Sequence, residues 1–345
     1  MIGGRDPSAT GPTAADHSIV YVPALDGVRA LSIILVILTH TAPLGPSEWR
    51  LNSMAGPMGM SLFFCLSGFL IVSILNHNPN VTPFLIKRML RIVPAVILYL
   101  CLLVVLFGIP WQMFAANMLF VSNYWFVGLS NTIAPTSHLW SLAVEMHFYV
   151  AIALATLMLG RRSLWLVPPA ALIVTGLRID AGAYVNIQTH LRVDEILSGG
   201  ILALIAIHAG DRIRPLLTGV WRPALLLTGL TALWMLSSHP AGGALNYARP
   251  YLAASVVGVV LFSRLPGLHA LLEGRIAAYV ARISYALYIY HPLMIFGWMN
   301  AGSDWVRYLV KRPVSYALTW AAAHASTYWW ETHWQKLARQ WVARS

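Results

Sequence analysis

Charge is what this sequence has least of. Asp, Glu, Lys and Arg together make up 10% of the 345 residues, where a soluble domain carries roughly 25%, and that deficit excludes an ordinary water-facing surface. Cysteine is nearly missing too. Cys65 and Cys101 both lie in apolar runs, which excludes a disulfide framework and leaves them as small hydrophobes. No pairing of histidines has the spacing of a metal site. Acidic residues are scarcer than basic ones, 12 against 23. The basic surplus falls in short segments between apolar runs, as membrane topology requires, and not in the continuous patch of a nucleic-acid binder. Residues 1–20 lack the basic start and short apolar core of a cleaved signal. They form a polar tail with Asp6, Pro7, Pro12 and Asp16, so the first apolar span reads as an uncleaved insertion signal. No internal repeat is visible.

What remains is apolar residues, 58% of the chain, in runs long enough to cross a bilayer, which takes about 20 residues as a helix. The pattern predicts an all-α fold, a polytopic membrane bundle of about ten transmembrane helices. Spans fall near 27–44, 56–75, 92–109, 139–159, 163–179, 193–208, 221–238, 249–263, 280–299 and 313–330. The flexible tail is 1–20, the membrane domain 21–335, and a short basic tail, expected to be cytoplasmic, 336–345. Segment 110–138 is uncharged and rich in aromatics. Holding it on the outer face puts most Lys and Arg, among them Lys87, Arg88, Arg91, Arg161 and Arg162, on the cytoplasmic side with both termini. Letting it cross reverses that bias, so it is expected to be interfacial or re-entrant.

Titratable groups inside hydrocarbon are costly, and each one marks a candidate site. The first span carries Arg29 near its start and His40 eleven residues on, about 16 Å further along the axis. The fourth span enters from the opposite side with Ser137-His138-Leu139-Trp140 and reaches Glu145 six residues in, a depth of about 9 Å. These figures bring His40 and Glu145 to one level, so a carboxylate orienting an imidazole general base is the expected centre. Glu145 neutralising an arginine is the alternative. Arg29, preceded by Asp26 and Gly27, reads as a donor-binding cation or as a snorkelling one. Lys87, Arg88 and Arg91 suit the phosphates of a nucleotide-bearing donor, or serve topology alone. Asp194 and Glu195, next to Arg192, could grip acceptor hydroxyls or pair with that arginine. Tyr288 and His291, in Ser284-Tyr285-Ala286-Leu287-Tyr288-Ile289-Tyr290-His291-Pro292, line a cavity or fill a core. Ser67 reads as helix packing around Gly68. His138 and His269, near span ends, read as interfacial.

At these residues the sequence resembles the acyltransferase-3 family of bacterial integral membrane acyltransferases. The matching stretches are Leu25-Asp26-Gly27-Val28-Arg29-Ala30 leading to His40, Phe63-Phe64 with Leu66-Ser67-Gly68-Phe69-Leu70, and Lys87-Arg88 with Arg91-Ile92 and Pro94. Trp140-Ser141-Leu142 with Glu145 and Phe148-Tyr149, Arg192 with Asp194, and Ser284-Tyr285 with Leu287-Tyr288 and His291-Pro292 complete the set, in the family's order and over nearly the whole chain. The family's second acidic residue is replaced by Met146 and its usual Gln by His147, which leaves Glu145 alone.

The resemblance implies a ten-helix domain in the bacterial cytoplasmic (inner) membrane. It implies no bound cofactor, acyl-CoA as cytoplasmic donor co-substrate, and a sugar hydroxyl as the usual acceptor, macrolide-type sugars included. With no esterase-like domain after the last span, the acceptor is expected at the membrane domain itself. The expected chemistry is O-acylation, with His40 either taking the acceptor's proton or carrying the acyl group. The rival reading is a proton-coupled secondary transporter or flippase, against which stands the missing repeat.

Overall fold

The computed structural model describes residues 22–125, 135–295, 298 and 301–344. The expected tail at 1–20 lies outside them. All regular structure among the described residues is helical. In chain order the helices are α1 (Pro23–Thr41), α2 (Leu51–His77), α3 (Val81–Phe107), α4 (Trp111–Met118), α5 (Ser122–Trp125), α6 (Trp140–Leu159) and α7 (Val167–Asp180). There follow α8 (Asp194–Ile213), α9 (Trp221–Ser238), α10 (Arg249–Phe262), α11 (Pro266–Leu272), α12 (Arg275–Ile295), α13 (Arg312–Ala325) and α14 (Thr332–Arg344).

Six helical stretches among the described residues are long and apolar enough to cross a bilayer. One of them, Ser137–Asp180, holds both the fourth and fifth expected spans, with a 3-10 turn separating α6 from α7. The chain is thus a polytopic helical bundle. Its outer surface is what lipid requires: Val105, Met158, Trp221 and Ile276 are each at least 80% exposed, while Arg178, Arg192, Asp194, Glu195 and Arg249 are buried. In segment 110–138, α4 has eight residues, about 12 Å of helix against a core of roughly 30 Å, so α4 does not cross. Residues 336–344, expected as a tail, continue α14, which packs against α3.

The bundle is organised around α2, which packs against α1 and α8. Small residues permit the α2–α8 approach. A Cβ on Gly68 would lie 1.8 Å from the carbonyl oxygen of Ile196, and one on Gly199 would lie 1.9 Å from that of Cys65. With lipid outside as apolar as the interior, such backbone contact is what drives helices together. On its other side α1 packs against α12, and Gly27 lets it approach Leu272 of α11. The C-terminal carbonyls of α1, which lack intrahelical partners, are caught by α2. Asn52 Nδ2 donates to the carbonyls of Thr39 (3.1 Å) and Ala42 (2.7 Å). That clasp fixes the turn bearing His40.

Candidate functional site

Four helices, α1, α2, α6 and α12, each carry side chains into two chambers at different levels. The first chamber lies toward the face where α1 begins. Arg29 from α1, Arg88 and Arg91 from α3, Glu145 and Tyr149 from α6, Ser67 from α2 and Tyr285 from α12 line it. Its free volume is about 40 Å³, room for little more than one water. Glu145 Oε1 accepts from Tyr149 Oη at 2.5 Å and from Ser67 Oγ. The Arg88 guanidinium stands over the Tyr149 ring, 5.5 Å from its centre. Asp26 pairs with Arg29 across one turn, at 3.6 Å. The chamber is therefore a cationic cleft with one hydrogen-bonded carboxylate at its head.

The second chamber opens where α1 ends and has a volume of about 680 Å³. His40, His138, His291, Tyr288, Trp140 and Arg192 line it, with Asn52, Ser53 and Ser137 adding small polar groups. The His40 and His291 rings stack, with centroids 5.5 Å apart, and His138 meets His291 edge-on at 5.4 Å. Proximity of three imidazoles suggests a metal, but among the described residues no group of three or more His, Cys, Asp or Glu side chains is placed to hold one.

Proline sets the state of His291. Pro292 has no backbone N–H to donate to the carbonyl four residues back, that of Tyr288. His291 Nδ1 fills the gap at 2.8 Å from that oxygen. A carbonyl only accepts, so Nδ1 carries the proton and Nε2 is the basic nitrogen. Tyr288 Oη in turn contacts Ser141 Oγ and the carbonyl of His138, both at 2.5 Å. Between the chambers stand the rings of Phe63, which lines the cleft, and Tyr288, which lines the larger cavity. They stack at 13° with centroids 5.9 Å apart.

This arrangement corrects the expected centre. Among the described residues no hydrogen bond or ion pair joins His40 to Glu145; each faces its own chamber. The depth estimate placed the start of α6 at the membrane edge. In fact Thr136, His138 and Leu139 are already buried, so α6 starts inside the bundle. Glu145, seven residues past His138, then lies about 10 Å deeper. The imidazole that reaches His40's chamber from this side is His138, which the sequence reading left at the interface. His269, read likewise, is buried, with Nδ1 at 3.0 Å from the Leu265 carbonyl.

The remaining candidates divide. Arg29, Arg88 and Arg91 converge on the cleft as expected, while Lys87 is exposed and does not line it. Arg192 lines the larger cavity, as do Tyr288 and His291. Asp194 does not; it is fully buried in an ion pair with Arg178, where it can hold no acceptor. Arg192 pairs instead with Glu195, at 3.2 Å. Arg178 and Arg249, also fully buried, were missed. The signal was available, since two acids at the head of one apolar span demand cations from its neighbours. Ser67 does more than make room for Gly68, because its hydroxyl is a ligand of Glu145.

The chain is 31% identical over 224 residues to the O-acetyltransferase OatA of Staphylococcus aureus, covering 55% of this chain and 35% of that one. It is 30% identical over 228 residues to the peptidoglycan O-acetyltransferase OatA of Listeria monocytogenes, with the same coverage. A putative O-acetyltransferase of Staphylococcus aureus strain COL is 31% identical over 162 residues, 40% of this chain and 26% of that one. The chain thus spans about a third of the length of the first two relatives. No solved structure matches. The family model described as an acyltransferase domain matches residues 22–330, a range that takes in both chambers, and the chain belongs to that family, acyltransferase-3.

Proposed function

We propose that the protein is a membrane O-acyltransferase that moves an acyl group, acetyl in the simplest case, from acyl-CoA to a hydroxyl of a carbohydrate or glycosylated acceptor. The observation that carries this reading is the pair of stacked chambers. One is cationic and suits the phosphates of a nucleotide thioester. The other holds imidazoles and small polar groups, and suits a sugar hydroxyl and its activation. The relatives' names, O-acetyltransferase and peptidoglycan O-acetyltransferase, support an acetyl group and a glycan acceptor. A macrolide-type sugar fits the same chemistry.

Acyl-CoA enters the cleft from the cytoplasm, in an enzyme seated in the bacterial cytoplasmic membrane with both termini inside. Arg29, Arg88 and Arg91 hold its phosphates, and Glu145, fixed by Ser67 and Tyr149, keeps the head of the cleft polar. At about 40 Å³ the cleft is closed to a thioester, so entry requires these partly exposed arginines to swing aside. The thioester arm then passes the Phe63–Tyr288 pair to reach His40. There His40 takes the proton of the acceptor hydroxyl, the oxygen attacks the thioester carbonyl, the C–S bond breaks, and the thiolate leaves with CoA. His291, with a proton on Nδ1, lies against His40 as the neighbouring imidazole. In the two-step variant His40 itself is acylated before the acceptor arrives.

Purified protein given labelled acetyl-CoA and a glycan acceptor tests the reading. Label appearing on the acceptor with release of free CoA supports it. Proton-coupled uptake into vesicles with no thioester consumed supports the transporter reading and sinks this one.

A further inference from the structure

Five charged side chains sit together behind the larger cavity: Arg178 on α7, Arg192 just before α8, Asp194 and Glu195 on α8, and Arg249 on α10. None is more than 1% exposed. Three guanidiniums face two carboxylates, so the cluster holds one positive charge in excess. Burying an unbalanced charge is costly, and the hydrogen bonds show where the excess is felt. Arg178 is matched to Asp194 and also donates to the carbonyl of Tyr184 at 3.0 Å. Arg249 holds Glu195 through Nε at 2.9 Å and the Tyr184 carbonyl through Nη2 at 3.1 Å. Arg192 has only a share of Glu195, and its buried Nε and Nη1 have no hydrogen-bond partner. Arg249 Nη1 is also unpartnered, but Arg192 is the member of the cluster that lines the cavity. Its guanidinium stands over the Trp140 indole, 5.3 Å from the ring centre.

Among the described residues, the rest of the cavity wall offers no negative charge to cancel that excess. No Asp or Glu among the described residues lines it, and the titratable members besides Arg192 are His40, His138, His291 and Tyr288. A planar, fixed guanidinium with two free donors matches a carboxylate or phosphate. We propose that the acceptor carries an anionic group, which Arg192 binds while His40 addresses the hydroxyl. This rests on the reading of the cavity as the acceptor chamber and narrows that acceptor to an acidic or phosphorylated sugar. The charge surplus of the five-residue cluster is neutralised only when such an acceptor is seated.

Binding without any donor tests this separately from transfer. Glucose, glucuronic acid and glucose 6-phosphate are titrated into purified wild-type protein and R192Q. The two anionic sugars should bind wild type at least about tenfold tighter than glucose, as a charge-assisted bond would give, and R192Q should lose that margin. Whichever of the two binds tighter names the anion. In wild type alone, glucose 6-phosphate or glucuronic acid, but not glucose, should protect His40 from diethyl pyrocarbonate, read by mass spectrometry. That arm holds even where R192Q fails to fold. Equal or undetectable binding of all three sugars, a preference that survives R192Q, or no protection of His40 by either anion would overturn the proposal. An anion preference in a protein that consumes no thioester would leave this site standing and remove the transferase reading instead.

Discussion

The two chambers share four helices, with α3 added to the cleft alone, and differ in almost every other respect. The cleft is tight, cationic and closed around a carboxylate already supplied with two hydroxyl donors. The cavity is about 680 Å³, is lined by imidazoles and contains a buried arginine with donors to spare. A satisfied buried polar network rigidifies its surroundings, whereas an unpaired buried polar group is costly. On the proposed reading, the donor is recognised in the cleft and the acceptor reacts in the cavity. α1 joins the two, since Arg29 and His40 lie about 16 Å apart along one helix.

The sharpest way to break this division is His40→Ala. Loss of a general base or nucleophile should lower kcat by about 10²-fold or more with acetyl-CoA affinity unchanged, measured by transfer of labelled acetyl and by donor titration. Arg88→Gln combined with Arg91→Gln should do the reverse. The acetyl-CoA KM should rise by about tenfold or more, as expected for loss of charge-assisted phosphate contacts, while kcat is kept. Gly68→Ala probes the scaffold beneath the cleft. Its methyl would meet the Ile196 carbonyl at 1.8 Å, and forcing α2 from α8 should cost about 1–3 kcal/mol in detergent unfolding and loosen Ser67 from Glu145. The smallest effect belongs to Pro292→Ala. The restored N–H competes with His291 for the Tyr288 carbonyl, so kcat should fall by about tenfold or less with both KM values steady. An unchanged kcat there would show that the tautomer of His291 is immaterial.

Much of the division was legible in the sequence, and one element was not. The apolar runs and the Arg29–His40 spacing needed only helix geometry, and both survive in the structure. Arg88 and Arg91 lie three residues apart on one helix face and both reach the cleft, while Lys87, although four residues from Arg91, is exposed and does not line it. The pairing of His40 with Glu145 failed because depth along a helix depends on where the helix enters the bundle. Hydropathy does not mark that point when residues just before the helix, Thr136, His138 and Leu139, are themselves buried. The exchange of partners among Arg178, Arg192, Asp194, Glu195 and Arg249 was equally out of reach. Its residues come from three helices and a loop, and only their packing decides which arginine is left over.

The most direct test of the division is acetyl-CoA binding and turnover measured side by side in wild type, His40→Ala and the Arg88–Arg91 double variant. The account predicts full donor binding without turnover in the first variant, and weakened donor binding with retained maximal turnover in the second. Normal turnover in His40→Ala, or undiminished donor binding in the double variant, would contradict it.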